Sequence, residues 1–194
     1  KFSFIFEDAM KLNFPQLVKT EAEGLRPILC ANLPYNITTP LLSILIDSAS
    51  FESMTVMLQK EVIDRICATP NSAEYGAFSL YVNWHCEAVR LFEVPSDCFM
   101  PRPKVHSGVL KLIPRKEPPF SVKDEALMRR VVRAAFSQRR KTLENALANG
   151  IKDLDKAATA AAIAECGLEA KVRGEELSMQ QFAFLSDILE NKLR

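Results

Sequence analysis

The sequence predicts an α/β domain followed by a small all-α domain, and three observations carry that reading. Strand-like and helical segments alternate from residue 2 to about residue 113. Composition then shifts at the proline-rich, charged stretch Pro114-Arg115-Lys116-Glu117-Pro118-Pro119, which reads as a linker. Beyond it no strand pattern recurs, and apolar residues return at helical spacing. The expected division is an α/β domain over 1–114 and a helical domain over 115–194.

Taken in order, Phe2 to Phe6 reads as a strand ending at Glu7-Asp8. Pro27 to Leu33 is a second strand, stopped by Pro34, which has no N–H to give to a ladder. Thr39-Pro40 opens a helix, with Thr39 as cap and Pro40 at the first helical position, and Leu41, Leu42, Leu45 and Ile46 form its apolar face. Ser53 to Gln59 is a third strand leading straight into a helix from Lys60 to about Ala68. Pro70-Asn71-Ser72 is a loop, and Phe78 to Cys86 is helical. Ala88 to Val94 and Val105 to Ile113 are the last strands, joined through the segment from Pro95 to Pro103. Strands separated by helices imply a mostly parallel sheet covered on both faces. Helices then fit roughly 122–136, 139–148, 155–166 and 178–192. Ser178 with Gln181 makes a capping box for the last of these. Gly167 stops the alanine-rich third helix, because glycine accepts the left-handed conformation at a helix end.

The bulk numbers exclude several classes. The 194 residues are 48% hydrophobic and 25% charged, as in an ordinary globular protein. No apolar run is long enough for a bilayer-spanning helix, so no membrane partner is expected. Cys30, Cys67, Cys86, Cys98 and Cys166 are odd in number, widely spaced and without a C-x-x-C pair; this fits a reducing cytoplasm rather than a disulfide framework or zinc site. His85 and His106 lack metal-ligand company. The net charge of +1 is that of no general polyanion binder, so nucleic-acid affinity has to come from local clustering. The chain opens directly in an apolar run with no methionine, and is read as a fragment. None of its six glycines falls in a G-x-G, so nothing makes a glycine loop beneath a nucleotide or nucleoside cofactor.

The sharpest chemical motif is Asn32-Leu33-Pro34-Tyr35, at the carboxyl end of a predicted central strand. Open α/β sheets bind ligands outside such strand ends. Methylating an exocyclic amine sets a specific demand. Adenine N6 is a poor nucleophile because its lone pair is delocalised into the ring. Two acceptors must take its N–H hydrogens and favour a pyramidal nitrogen. An asparagine side-chain oxygen and a backbone carbonyl before a proline can do this, and a following aromatic ring can stack on the extruded base. Asn and Pro are also common turn formers, and these four residues alone do not separate the two readings.

From Arg129 to Lys141 the sequence has six cations (Arg129, Arg130, Arg133, Arg139, Arg140, Lys141) and no acid. Solvated helix faces normally interleave both signs, so a one-sign run points to phosphate contact. Arg102 and Lys104 extend the possible track.

Asn32 to Tyr35 resembles the N-[LIVP]-P-[YF] motif of N6-adenine methyltransferases, and the longer run Asn32 to Pro40 resembles the KsgA-type small-subunit rRNA adenine N6,N6-dimethyltransferases. So do Met57 to Val62, Pro70-Asn71-Ser72 with Tyr75-Gly76, the segment Phe99 to Ser107, and Phe136 to Leu143 with its R-R-K-T core. The resemblance covers nearly the whole chain in order. It implies a Rossmann-like class I methyltransferase sheet whose first strands and glycine loop are missing, about 60 residues at roughly 30 per βα unit, followed by an rRNA-binding helical domain. It further implies S-adenosyl-L-methionine as cofactor, with Asp8, Ala9 and Asn32 at the cofactor side. Asn32, Leu33, Pro34 and Tyr35 are implied at the target adenine, with Phe99 on the opposite face of the base. The implied partners are small-subunit rRNA and the ribosomal small subunit, met by a monomer in the cytoplasm. A chain without the glycine loop is expected to bind the cofactor weakly or not at all and to be inactive alone. Two other readings stand beside this one: a non-catalytic RNA-binding or ribosome-assembly module, and an erythromycin-resistance-type methylase of large-subunit rRNA.

Overall fold

The computed structural model describes residues 2–152 and 154–193. Its eight α-helices and four strands divide into two compact units, Lys1–Cys67 with His85–Lys116, and Ala68–Trp84 with Glu117–Arg194.

In the first unit, α1 (Phe14–Glu21) precedes β1 (Ile28–Asn32), and α2 (Thr38–Asp47) leads to β2 (Ser53–Gln59) and α3 (Lys60–Ile66). Two further strands, β3 (Cys86–Val94) and β4 (Ser107–Pro114), complete a sheet of order β1-β2-β4-β3. The strand read over Ser53 to Gln59 forms: Met54, Val56 and Leu58 are buried on one face, and α3 packs against it. β1 pairs parallel to β2, Asn32 opposite Met57. Both pairings of β4 are antiparallel. The expectation of a mostly parallel sheet is therefore corrected. The Pro95–Pro103 connection returns the chain without a crossover helix, so β3 and β4 can pair only antiparallel. β3 is an edge strand with Val89, Leu91 and Phe92 exposed, and a bulge between Arg90 and Phe92.

The Phe2 to Phe6 strand is also corrected. That segment has no regular structure, and Phe2, Phe4 and Phe6 are 88%, 77% and 94% exposed. Apolar alternation yields a strand only where a neighbour offers a ladder, and the segment pairs with none of the described strands. Thr39 does not cap α2 either. The helix follows directly on a 3₁₀ turn over Tyr35–Ile37, and it is the Thr38 hydroxyl, not Thr39, that bonds back, to the Pro34 carbonyl at 2.9 Å.

The second unit contains α4 (Ala77–His85) up to Trp84, α5 (Glu125–Ser137), α6 (Leu143–Gly150), α7 (Lys156–Glu165) and α8 (Met179–Leu193). Residues 68–84, assigned by sequence to the first domain, pack here because Tyr75, Leu80 and Trp84 bury themselves in the helical core. The Tyr75 phenol donates to the Leu177 carbonyl at 2.9 Å, and burial pushes its pKa up. The Ser178–Gln181 capping box forms, with bonds of 2.8 and 3.3 Å. Gly167 adopts φ +71° and ends α7, its N–H on Ala164 and that of Leu168 on Ile163. The expected helix start at 139 is wrong. Residues 138–141 form a turn, and α6 begins only at Leu143.

Candidate active site

Leu33 is 4% exposed and anchors the loop after β1, and its N–H continues the ladder to the Met57 carbonyl at 3.2 Å. The next carbonyl, Pro34, already accepts from the Thr38 hydroxyl and from the Ile37 N–H at 3.2 Å. These bonds fix the backbone while leaving the Asn32 side chain exposed and without a hydrogen bond to any other described residue. An uncommitted amide at the carboxyl end of a strand is available to a ligand.

Facing this loop is the β3–β4 connection. There the N–H groups of Cys98 and Phe99 close short turns on the carbonyls of Pro95 and Ser96. Arg102 Nε donates to the buried Ser96 hydroxyl at 2.9 Å, and the Met100–Pro101 peptide is cis. Asn32, Leu33, Pro34 and Tyr35 together with Phe99, Met100, Pro101 and Pro103 line an open cavity of about 380 Å³. That is within the roughly 300–1,000 Å³ typical of ligand clefts. Five of the eight lining residues were expected at the site; Met100, Pro101 and Pro103 entered the sequence reading only as part of the Phe99 to Ser107 segment, with no site role given to them. Tyr35 Oη and Ser107 Oγ share a hydrogen bond of 2.6 Å, which the sequence also did not reveal.

Asp8 and Ala9 are not brought to the cavity. Asp8 Oδ1 instead accepts the Met10 N–H at 2.9 Å and caps the 3₁₀ turn Ala9–Lys11. Neither Asp8 nor Ala9 is among the residues lining the cavity. Among the described residues no cluster of His, Cys, Asp and Glu is placed to hold a metal, and no helix is long and apolar enough to cross a membrane. The thiols of Cys86 and Cys166 are pushed up to about 11 by burial, which makes them poor nucleophiles.

The cations sort into two kinds. Arg129, Arg130 and Arg133 lie on the exposed face of α5, opposite Leu127, Met128, Val131 and Val132, with Arg129 3.7 Å from Glu125. Arg140 and Lys141 are exposed on the following turn. Arg139 differs: its Nε donates to Glu175 at 2.7 Å, and its Nη2 contacts the carbonyls of Ser72, Ala73 and Tyr75. These bonds tie the 72–75 loop to the turn after α5 within the helical unit. In the first unit Lys104 is exposed, and Arg102 is held by Ser96 as above.

The family model for ribosomal RNA adenine dimethylases matches residues 1–191. The chain belongs to that family. Similar curated proteins include ribosomal RNA small subunit methyltransferase A of Lachnoclostridium phytofermentans, 44% identical over 99% of this chain and 67% of its own length. The proteins of the same name from Geobacillus sp. and Clostridium perfringens are 40% and 43% identical, covering 97% and 98% of the chain and 66% and 65% of their own lengths. The chain thus spans about two thirds of these relatives. In fold it is similar to the crystal structure of a dimethyladenosine transferase from Plasmodium falciparum, with TM-score 0.71 and 24% identity over 86% of this chain and 67% of that one. It is also similar to the 23S rRNA methyltransferase ErmE, with TM-score 0.62 and 19% identity over 84% and 65%. The chain thus shares the Rossmann-like methyltransferase fold of these structures, with the sheet order β1-β2-β4-β3 among its described residues.

Proposed function

We propose that this chain forms the target-adenine pocket and an RNA-contacting helical unit of an enzyme that converts adenosines of small-subunit rRNA to N6,N6-dimethyladenosine. One observation carries the reading: the Asn32–Tyr35 loop and Phe99, 64 residues beyond Tyr35 in sequence, line the same cavity. A flipped adenine there would lie between the Tyr35 and Phe99 rings, each such stack being worth about 1–3 kcal/mol. The Asn32 side-chain oxygen and the Leu33 carbonyl would accept the two N6 hydrogens, favouring a tetrahedral nitrogen. The Pro34 carbonyl is already engaged, which leaves Leu33 as the acceptor. Methyl transfer to an amine needs positioning and electrostatics rather than a protein nucleophile, and none of the cavity residues is a cysteine or serine. S-adenosylmethionine is the methyl donor of the proposed reaction and supplies an electrophilic methyl group. The cytoplasm is the proposed setting, in keeping with five free cysteines.

The non-catalytic RNA-binding module is the second reading, supported by Arg130, Arg133, Arg140 and Lys141, which are exposed and form no ion pair with described residues. A short single-stranded RNA with 2-aminopurine between uridines separates the two. That base fluoresces when unstacked and is quenched between aromatic rings. The intact chain should quench it on binding, and Tyr35→Ala or Phe99→Ala should remove most of the quenching while salt-sensitive RNA binding persists. RNA binding without quenching by the intact chain would leave the module reading alone.

A further inference from the structure

We infer that Ser107 is a positioning residue that holds the two aromatic walls of the cavity at a fixed separation. The inference rests on the adenine-pocket reading and extends it to a side chain outside the cavity lining. One wall is Tyr35, on the loop that follows β1. The other is Phe99, on the connection that ends where β4 begins, at Ser107. Ser107 Oγ lies 2.6 Å from Tyr35 Oη, across 72 residues of sequence. Among the described residues this is the one side-chain hydrogen bond between the Asn32–Tyr35 loop and the segment from Pro95 to Ser107.

The geometry suits a fixed reference point. Ser107 is 0% exposed. It sits on a strand with a partner on each side, opposite Gln59 of β2 and Val94 of β3. Directly behind it, a Cβ on Gly108 would stand 2.8 Å from Ile63 Cδ1 and 3.3 Å from the Phe92 carbonyl, so β4 has no slack toward α3 or β3. A buried hydroxyl needs a partner, and here that partner is the half-exposed phenol. Tyr35 without Ser107 could turn about its two side-chain torsions. With Ser107 its ring plane is set relative to the strand into which the Phe99 loop feeds. A gap fixed in this way accepts a planar base and resists collapse of one ring onto the other when the base is absent.

The test uses the 2-aminopurine RNA with Ser107→Ala, Tyr35→Phe and the double variant, beside an RNA of the same length carrying only uridines. Each single change should reduce the preference for the 2-aminopurine RNA over the uridine RNA by about two- to tenfold, the size of one hydrogen bond. The double variant should be no worse than either single, since both remove the same bond. A merely structural serine would instead lower affinity for both RNAs together, with a lowered melting midpoint and no such coupling. Additive losses, or a Ser107→Ala protein with the parent's preference, would overturn the inference. If Ser107→Ala fails to fold, Tyr35→Phe decides, because it keeps the ring and loses only the hydroxyl: unchanged preference overturns the proposal. If the intact chain shows no preference for 2-aminopurine, the pocket reading fails first and this inference falls with it.

Discussion

In the proposed reaction Asn32 is the residue on which the chemistry turns, and its surroundings favour a ligand-facing side chain over a turn former's. A turn-forming asparagine spends its side chain on nearby backbone, whereas here the backbone is fixed by Leu33, Thr38 and Ile37 and the amide is left over. In a protein of the full length of the curated relatives, Asn32→Ala should fold normally and lose roughly 10²–10³ in methylation rate, by analogy with other transition-state hydrogen bonds. Near-parental turnover in a labelled-methyl assay would return Asn32 to the turn formers. The motif itself was legible because its four residues are adjacent. Ser107 and Arg139 were not, because each acts on a partner far away in sequence: Tyr35 at 72 residues, and Glu175 and the 72–75 loop at 36 to 67. Sequence spacing carries no trace of such pairs, so Arg139 read as one more cation of the run.

At the scale of elements, patterns that depend on local chemistry came through. The Ser53–Gln59 strand, the Ser178 capping box and the Gly167 stop all depend on neighbours within a few residues. Sheet direction and the fate of Phe2 to Phe6 depend on which strand is available to pair, and that is a tertiary property. The same holds for Gly174, which no local signal distinguished. A Cβ there would meet Ala135 Cβ at 2.8 Å and the Ala135 carbonyl oxygen at 3.1 Å, on α5. Backbone cannot give way as a flexible side chain can. Gly174→Ala should therefore destabilise the helical unit by about 1–3 kcal/mol through overpacking, read as a lower urea midpoint. An unchanged midpoint would mean that the 174–176 turn shifts freely from α5.

For the molecule as a whole, a net charge of +1 makes RNA binding a matter of where the cations stand. Arg130, Arg133, Arg140 and Lys141 are exposed and form no ion pair with described residues, whereas Arg139 is committed internally. Changing those four to glutamine should weaken binding of small-subunit rRNA and make its log–log salt slope shallower by about three, at 0.7–0.9 per phosphate. Arg139→Gln should mainly lower stability instead, because it strips a charge and several carbonyls of their partner. An equal loss of salt slope from Arg139→Gln alone would contradict that division. The central claim is narrower than affinity: one adenine of the RNA enters the cavity between Tyr35 and Phe99. Photocrosslinking reads this directly, with 8-azidoadenosine at the target position of a small-subunit rRNA hairpin and the attached peptide identified by mass spectrometry. The account predicts adducts on the peptides carrying Asn32–Tyr35 and Phe99–Pro103, suppressed by an excess of unmodified hairpin. Adducts confined to the 129–141 segment, with the cavity peptides clean, would contradict it.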